Sequence, residues 1–386
     1  MVEMNNSTNN HDQYYMAHAL RLAERGLWTT DPNPRVGCVI VHEGQIVGEG
    51  WHQVTGEPHA EIHALKMAKE KAAGATCYVT LEPCCHHGRT PPCTDALIKA
   101  GIARVVIAVI DPNPQVSSKG IEQLLNAGIM VETGILGHEA EQLNIGFFKR
   151  MRHNRPHIRC KLAMSLDGRT AMASGESQWI TSKDARKDVQ ILRARSSAIM
   201  TGAGTILADN PSLTVREDDL PDHMLQFAKI RQPLRVIVDE HLSTPADAKV
   251  LTAPGQTVIF TASSSESVKK MLEKTGVKVV HLPCRDRRID LIAMCQYLAQ
   301  EHQINELLLE TGATLGGSML RQGLIDELII YMAPILMGNQ ARGLFDLPHL
   351  ELLEQKISLN IKEIRAVGCD WRITAYPIYH QIESIC

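Results

Sequence analysis

Two stretches of alternating strand and helix signals constrain the fold of this chain more than any other feature of its sequence. Apolar runs with strand character alternate with amphipathic segments between residues 12 and 148, and the alternation resumes from residue 158. This pattern is typical of α/β folds, in which helices cover the faces of a largely parallel sheet. A chain of 386 residues also exceeds the usual size of a single core, so we predict two α/β domains.

In the first stretch the pattern predicts a helix that Asp12 caps and Gly26 ends, followed by a β-hairpin that turns at Glu43-Gly44. Three further strands and four further helices complete a domain that we place at residues 1–150. The predicted strands are 36–42, 46–51, 76–81, 105–110 and 130–133, and the predicted helices are 12–24, 59–73, 94–100, 121–126 and 138–148.

A basic stretch from Lys149 to Pro156 separates the two halves, and we interpret it as a linker. It is short and lacks interleaved aromatic residues, which argues against a nucleic-acid site. The second domain is placed at residues 155–386. Its predicted strands are 158–164, 198–201, 235–239, 257–261, 277–282 and 306–310, its clearest helices are 183–195 and 266–274, and 328–334 and 371–376 are expected as late antiparallel strands.

Composition and charge exclude several functional classes. Hydrophobic residues make up 44% and charged residues 22% of the chain, and the formal net charge of −3 gives no overall attraction to nucleic acid or anionic membranes. The polar N-terminus lacks a signal-peptide pattern, and no apolar run is long enough to span a bilayer. We therefore expect a cytoplasmic protein without nucleic-acid or membrane partners, in which clustered cysteines bind metal rather than form disulfides.

The chemistry of the first domain centres on His59-Ala-Glu61, followed by Pro83-Cys84 and by Cys93. One imidazole and two thiolates suit Zn²⁺, and three protein ligands leave a fourth position for a water whose pKa falls to about 7. A carboxylate beside the metal that does not bind it, here Glu61, suits the transfer of a proton from that water. His-x-Glu followed by Pro-Cys-x-x-Cys is the general signature of zinc deaminases.

The cysteine spacing departs from that signature, because eight residues separate Cys84 from Cys93. We favour Cys84 as a ligand because Pro83 can fix the first turn of a helix, and the positive end of a helix stabilises a thiolate. A fourth protein ligand would close the site and make it purely structural. The insertion supplies three rival ligands, which are Cys85, His86 and His87.

Four segments of the first half together resemble one enzyme family, the bifunctional deaminase/reductase of riboflavin biosynthesis. They are Asn33-Pro-Arg-Val-Gly-Cys-Val-Ile40, Gly50-Trp-His52, Gly56-Glu-Pro-His-Ala-Glu61 and Glu82-Pro-Cys-Cys-His-His-Gly-Arg-Thr-Pro-Pro-Cys93. The long cysteine spacing is typical of that family and not of nucleoside or tRNA deaminases. The resemblance implies a cytidine-deaminase-like α/β/α domain in which His59, Cys84 and Cys93 hold zinc and Glu61 is catalytic. It also implies substrate contacts by Asn33, His52 and Arg89.

The second half lacks the Gly-x-Gly-x-x-Gly fingerprint of many dinucleotide sites. Small residues nevertheless follow two predicted strands, at 202–205 and 310–318, where backbone amides at a helix N-terminus suit a pyrophosphate. Five segments resemble the reductase domain of the same family, whose α/β fold resembles dihydrofolate reductase. They are residues 161–169, 177–181, 201–205, 209–216 and 310–312.

For this domain the resemblance implies NADPH as cofactor and a phosphorylated substrate. Arg193 and Arg216 can each clamp a phosphate through two hydrogen bonds. The residues expected to contact NADPH are Ala163, Trp179, Thr205, Asp209, Gly312, Ala313, Thr314, Leu315, Gly316, Gly317 and Ser318. Those expected to contact the substrate are Ser177, Arg193, Leu213, Arg216 and Glu310.

The resemblance implies two consecutive reactions on small pyrimidine ribotides. The 2-amino group of 2,5-diamino-6-ribosylamino-4(3H)-pyrimidinone 5′-phosphate leaves as ammonia, and NADPH then reduces the ribosyl side chain of 5-amino-6-(5-phosphoribosylamino)uracil to ribityl. Two alternatives remain open: a nucleoside or tRNA deaminase with an unrelated second domain, and a protein with a structural zinc. The oligomeric state, including a homo-oligomer, also stays open, and the sequence identifies no acid for the reduction.

Overall fold

The computed structural model describes residues 2–85, 92–114, 116–225, 231–285, 288–348 and 350–379. Backbone contacts divide the chain into two compact units, one that ends at Asn154 and one that begins at Arg155. No helix in these described ranges combines the length and the apolar character that crossing a membrane would require.

The described residues of the N-terminal unit form five strands and six helices, and a 3₁₀ turn at Lys69–Ala72 prolongs the second helix. The strands are β1 (Gly37–His42), β2 (Gln45–Trp51), β3 (Thr76–Val79), β4 (Arg104–Ile107) and β5 (Met130–Thr133). The helices are α1 (Val2–Glu24), α2 (Ala60–Ala68), α3 (Cys93–Lys99), α4 (Lys119–Asn126), α5 (Gly137–Leu143) and α6 (Ile145–His153).

These elements form a three-layer α/β/α sandwich around a sheet of order β2-β1-β3-β4-β5. The β1–β2 hairpin and the β1–β3 pair are antiparallel, whereas β3, β4 and β5 run parallel. Alanines of α2, with Leu97 of α3 and Leu124 of α4, bury one face of the sheet. Met16 and Ala19 of α1 bury the other face, together with Ala140 of α5. Both hydrophobic layers therefore come from the periodic apolar positions that the sequence pattern indicated.

Two local expectations for this unit are wrong. Asp12 does not cap α1, because that helix begins at Val2; instead Asp12 is buried, accepts a 2.7 Å hydrogen bond from Tyr78 and pairs with Arg104 at 2.7 Å. The basic residues from Lys149 to Arg152 do not form a linker either, since α6 continues to His153. Arg152 lies over the ring of Phe148 at 4.8 Å, so its stem covers an apolar anchor of that helix.

The second unit contains thirteen strands and seven helices within its described residues, with 3₁₀ turns at Glu217–Asp219 and Leu353–Gln355. The strands are β6 (His157–Ser165), β7 (Arg169–Ala171), β8 (Ala198–Gly202), β9 (Leu234–Val238), β10 (Thr257–Thr261), β11 (Lys278–His281), β12 (Cys284–Arg285), β13 (Arg288–Ile289), β14 (Glu306–Glu310), β15 (Glu327–Ala333), β16 (Arg342–Gly343), β17 (Ser358–Val367) and β18 (Asp370–Ile378). The helices are α7 (Lys183–Arg195), α8 (Ala203–Asp209), α9 (Asp222–Leu225), α10 (Lys249–Thr252), α11 (Glu266–Glu273), α12 (Leu291–Glu301) and α13 (Ala313–Arg321).

Nine of these strands form one sheet of order β11-β10-β9-β8-β14-β6-β15-β18-β17. The seven strands from β11 to β15 are parallel, and β18 and β17 join antiparallel to them. Helices α12 and α13 bury one face, and α7 and α11 help to bury the other. The carboxyl ends of β6, β8, β9 and β14 therefore meet at one edge, which is where α/β sheets usually bind ligands.

The predicted alternation of strands and helices is confirmed, with two differences near the C-terminus. The segment expected as a late antiparallel strand, β15, is antiparallel to β18 but also runs parallel to β6. Strand β17 was not predicted, because most of its side chains are exposed and charged residues interrupt its apolar positions. An edge strand of this kind lacks the buried apolar run that marks the central strands.

Candidate active sites

The predicted metal ligands of the N-terminal unit come together although they lie far apart in sequence. His59 immediately precedes α2, Cys84 lies in the connection that follows β3, and Cys93 is the first residue of α3. Among the described residues, one ligand atom from each of these three side chains lies within 4.8 Å of the others. The Nδ1 of His59 is 3.5 Å from the Sγ of Cys84 and 3.3 Å from that of Cys93.

The two thiols of this group differ in their tendency to ionise. Hydrogen bonds from Cys93 and His59 lower the pKa of Cys84 to about 4, whereas the bond to Cys84 and burial raise the pKa of Cys93. One proton is therefore shared within the pair, with the negative charge on Cys84. A nitrogen and two sulfurs at this separation are a donor set that Zn²⁺ prefers.

Cys84 is not at the N-terminus of a helix, contrary to our expectation. The residues around Pro83 are irregular, and α3 begins only at Cys93, after Pro92. The backbone N–H of Cys93 nevertheless donates to the Cys84 sulfur at 3.4 Å. The start of the helix thus stabilises the Cys84 thiolate from a position nine residues further along the chain.

Glu61 is the second residue of α2, beside these ligands, and is only 3% exposed. Burial and the nearby charge of Cys84 raise the pKa of its carboxyl group above the usual value. Its Oε2 has no hydrogen-bond partner among the described residues. A buried carboxylate with a raised pKa and an oxygen open to a ligand has the properties of a group that accepts and returns a proton.

Two of the predicted substrate residues are next to this group. The ring of His52 stands edge-on to that of His59, with centroids 5.4 Å apart, and its Nε2 is 3.2 Å from the Nδ2 of Asn33. Burial lowers the pKa of His52 to about 4, so its ring is neutral near pH 7. Its Nδ1 donates to the carbonyl oxygen of Pro58, so its Nε2 accepts from the side-chain amide of Asn33. The side-chain oxygen of Asn33 therefore does not bind His52.

The remaining candidates of this unit have different outcomes. Arg89, His86 and His87 lie outside the described residues, while Cys85 is described but is not part of the group that His59 defines. Sequence reasoning missed Asp111, a buried carboxyl group whose pKa burial raises to about 6, with Glu82 and Cys84 adding to the effect. Its position directly after the predicted strand 105–110, in an Asp-Pro-Asn-Pro sequence that also occurs at residues 31–34, was the available signal.

A cleft of about 1970 Å³ opens at the carboxyl edge of the large sheet in the second unit. Ten Lys or Arg residues and six Asp or Glu residues line it, an excess of positive charge in a chain whose net charge is −3. The cleft therefore suits anionic ligands. Of the residues predicted to bind cofactor or substrate here, it is lined by Ala163, Ser177, Trp179, Arg193, Thr205, Asp209, Leu213, Arg216, Glu310, Gly312, Ala313, Thr314, Leu315 and Ser318.

Gly316 and Gly317 are buried and do not line the cleft. A Cβ on Gly317 would lie 2.2 Å from the carbonyl oxygen of Asp346, and one on Gly316 would lie 3.3 Å from the ring of Phe345. These two glycines allow α13 to pack closely against the segment around Phe345.

Arg193 lines the cleft and forms an ion pair with Glu310, another predicted substrate residue. Its Nε and Nη2 donate to the two carboxylate oxygens of Glu310 at 2.6 and 3.0 Å, and its Nη1 donates to the carbonyl oxygen of Thr214 at 2.9 Å. The two predicted substrate residues thus bind each other. Arg216 is about half exposed, and its Nε donates to Asp219 at 2.7 Å.

Sequence reasoning also missed Lys161 and Arg186, which line the cleft. Burial lowers the pKa of Lys161, although the charge of Glu310 opposes this effect. Arg186 lies 4.5 Å from the ring of Trp179 and donates to the carbonyl oxygen of Thr181 at 2.7 Å. Lys161 is a charged residue within a predicted strand, and Arg186 lies in the first turn of a predicted helix; a charge inside an otherwise apolar strand was the signal that could have revealed Lys161.

Comparison with known families assigns both units. A model described as the RibD C-terminal domain matches residues 156–373, more than half of the chain. A model described as the cytidine and deoxycytidylate deaminase zinc-binding region matches residues 9–109, which include His59 and Cys93. The chain belongs to the RibD family. The resemblance found in the sequence motifs and the predicted fold class are thereby confirmed.

Full-length relatives agree with this assignment. The riboflavin biosynthesis protein RibD of Escherichia coli (strain K12) is 53% identical over 362 residues, which are 93% of this chain and 97% of that protein. The structure of Acinetobacter baumannii RibD, form 1, has a TM-score of 0.89 at 44% identity and covers 96% of this chain and 100% of the other. A Thermotoga maritima structure titled diaminohydroxyphosphoribosylaminopyrimidine deaminase/5-amino-6-(5-phosphoribosylamino)uracil reductase matches over the same shares, with a TM-score of 0.82 and 32% identity. This member of the RibD family is a bifunctional deaminase and reductase of the riboflavin pathway.

Proposed function

We propose that the N-terminal unit removes the 2-amino group of 2,5-diamino-6-ribosylamino-4(3H)-pyrimidinone 5′-phosphate, with water as the second substrate and ammonia as the second product. The uracil ribotide that results is then reduced by the second unit. The observation that carries the first step is the group formed by His59, Cys84 and Cys93 beside the buried Glu61. Three ligands without a fourth among the described residues suit a catalytic zinc rather than a structural one.

His59, Cys84 and Cys93 would hold Zn²⁺, and when bound the ion would supply a water with a pKa near 7. Glu61 takes the proton of the attacking water on its Oε2, the oxygen without a hydrogen-bond partner in the described residues. It returns that proton first to the ring nitrogen and then to the departing amine. Because burial raises the pKa of Glu61, the carboxyl group is suited to both roles near neutral pH.

Asn33 and His52 would orient the pyrimidine. The neutral His52 accepts from the amide nitrogen of Asn33, which leaves the Asn33 carbonyl oxygen to accept from an amino group of the substrate. This arrangement favours a ring that carries exocyclic amines. Arg89 stays a predicted substrate contact, since it lies outside the described residues.

The second unit would bind NADPH along the carboxyl edge of its sheet, and the cofactor would supply a hydride to C1 of the ribosyl group. The turns that precede α8 and α13 offer backbone N–H groups to the pyrophosphate. Trp179 and Thr205 line the same cleft. Ser177, Arg193, Leu213, Arg216 and Glu310 stay the proposed substrate contacts, and Lys161 and Arg186 add positive charge to the same cleft. We also place the protein in the cytoplasm, because thiolate metal ligands and a nicotinamide cofactor suit that reducing compartment.

One experiment tests both steps. The purified protein is incubated with the diamino-pyrimidinone ribotide, with and without NADPH, and the products are read by mass. Without NADPH the expected product is the uracil ribotide, one mass unit heavier because an amino group becomes a carbonyl oxygen. With NADPH a further two hydrogens appear. Deamination of free nucleosides or RNA, without activity on the ribotide, would refute the proposal.

A further inference from the structure

Glu82 lies two residues before Cys84, but its carboxylate binds other groups than the metal ligands and Glu61. Its carboxylate is 3% exposed and accepts four backbone N–H groups. Oε2 accepts from Asp111 at 3.2 Å and from Ser118 at 3.0 Å. Oε1 accepts from Gly120 at 3.0 Å and from Ile121 at 3.3 Å. A buried carboxylate whose lone pairs are filled in this way is held rigidly.

Three of these donors form the start of α4. The residue before the helix, Ser118, provides no side-chain cap, although serine commonly does so at this position. Glu82, which belongs to a different part of the chain, caps the helix instead. Its carboxylate accepts the backbone N–H groups of Ser118 and of the second and third residues of the helix. The positive end of α4 in turn favours the negative charge of Glu82. The two elements are therefore locked together by the carboxylate.

The backbone on either side of Glu82 is held by the same neighbours. The N–H of Glu82 donates to the carbonyl oxygen of Val109 at 3.0 Å. The carbonyl oxygen of Pro83 lies so close to Gly120 that a Cβ there would be 2.3 Å away. Beyond it, the carbonyl oxygen of Cys84 accepts from the N–H of Thr94 at 3.2 Å. The segment that carries Cys84 is thus fixed at three successive residues, with Glu82 providing most of the bonds.

We propose that Glu82 is a positioning residue for the metal site: by capping α4 it fixes the backbone that places the Cys84 sulfur against His59 and Cys93. The role rests on the proposed function, because it requires that these three residues bind a metal. Cys84 belongs to an irregular connection and has no helix or strand of its own to orient it. The carboxylate of Glu82 supplies that rigidity instead.

The test compares three variants of the full-length, zinc-loaded protein. Glu82→Gln keeps the side-chain shape but turns one acceptor into a donor that faces backbone N–H groups. Gly120→Ala keeps the Glu82 charge but places a Cβ 2.3 Å from the carbonyl oxygen of Pro83 and 3.2 Å from Oε1 of Glu82, so it disturbs the same contact by a second route and keeps the proposal testable if Glu82→Gln fails to fold. Glu122→Gln removes a charge from the same first turn of α4, where Glu122 is exposed, and serves as the matched control.

Zinc release to a chromophoric chelator is measured at a fixed interval below each variant's Tm, and the Co²⁺-substituted proteins are compared by their thiolate-to-metal absorption. We expect Glu82→Gln and Gly120→Ala to release zinc about 10- to 100-fold faster than the wild type and to alter the Co²⁺ spectrum. Glu122→Gln should match the wild type, and reduction by the same chains should be unchanged. The role would be overturned if Glu82→Gln and Gly120→Ala had a lower Tm but released zinc at the wild-type rate with wild-type spectra. It would also be overturned if Glu122→Gln released zinc as fast as these two variants. A wild-type protein that binds no metal would instead refute the proposed function.

Discussion

His59 and Glu61 lie two residues apart at the start of α2, but the proposed reaction requires a different role from each of them. His59 must stay bound to a metal, whereas Glu61 must exchange a proton in every turnover. Glu61→Gln keeps the volume and removes the proton acceptor. We expect zinc content and fold to be retained and deamination to fall by at least about 10²–10⁴-fold. Metal analysis, circular dichroism and product formation check this, with reduction of the uracil ribotide by the same sample as the control; full deamination by a zinc-loaded Glu61→Gln protein would contradict the mechanism.

A substitution of Lys161 tests the reductase cleft, as Glu61→Gln tests the deaminase site. It is a partly buried cation near Glu310, and it lies among the residues that line the cleft. Lys161→Met preserves the apolar stem but removes the ammonium group. Because a hydrogen bond from a charged group is worth about 1.5–3 kcal/mol, we expect the kcat/KM for reduction to fall roughly 10- to 100-fold. Deamination should be unaffected. An unchanged reductase kcat/KM would show that Lys161 does not contact the substrate.

Two glycines of the α13 segment lie in different environments: Gly312 immediately precedes the helix, and Gly317 lies within it. A Cβ on Gly317 would meet the Asp346 carbonyl oxygen at 2.2 Å, whereas one on Gly312 would meet nothing within 4 Å. We therefore expect Gly317→Ala to lower the Tm of the reductase unit by several degrees and Gly312→Ala to leave it unchanged. Gly312→Ala should weaken NADPH binding if that turn approaches the cofactor. Calorimetry and NADPH titration separate the two effects, and equal Tm values for both variants would contradict the packing argument.

Near their amino ends, opposite the edge that carries the cleft, strands β6, β14 and β15 are joined by buried ion pairs. Arg159 pairs with Glu306 and, at 2.6 Å, with Glu327. Although burial opposes ionisation, Arg159 and His157 lower the pKa of Glu327 to about 2. A carboxyl group with a depressed pKa in the folded state stabilises the fold above its ordinary pKa, and this stability is lost as the pH falls towards 2.

By pH 3 this loss amounts to about 2 kcal/mol relative to pH 7. Glu327→Gln should be less stable than the wild type at pH 7, and the difference should shrink by that amount at pH 3. Hydrogen exchange of peptides from β6, β14 and β15, with each variant compared at the same pH, measures this. A difference that does not depend on pH would contradict the assignment of the charge to Glu327.

These elements also show how far the sequence could predict the structure. The strands and helices that carry His59, Cys93 and Glu310 followed from apolar periodicity, because each of them buries one face or both. The connection around Cys84 and the partner of Arg193 could not be predicted, since both depend on residues more than twenty-five positions away that only folding brings together. Gly316 and Gly317 were assigned to the cofactor because a glycine-rich turn looks the same in sequence whether it approaches a ligand or a neighbouring backbone.

For the whole molecule, the decisive property is that the two proposed activities use separate parts of the chain. The metal ligands and Glu61 all precede Asn154, and every residue that lines the reductase cleft follows Arg155. Both units have their own buried clusters and are of a size that can fold alone. The structure moves the boundary to Asn154, because a fragment that ended at residue 150 would remove the last turn of α6.

We therefore expect a fragment of residues 1–154 to bind zinc and deaminate the diamino-pyrimidinone ribotide without NADPH. A fragment of residues 155–386 should bind NADPH and reduce the uracil ribotide in the presence of a zinc chelator. Each reaction is followed by product mass, and circular dichroism shows whether each fragment is folded. Full-length Glu61→Gln gives the background rate for deamination, and the full-length chain without NADPH gives the background for reduction. If the folded C-terminal fragment neither binds NADPH nor reduces the uracil ribotide, while the full chain does both, the reductase site requires residues before Arg155 and its assignment to the second unit alone is wrong.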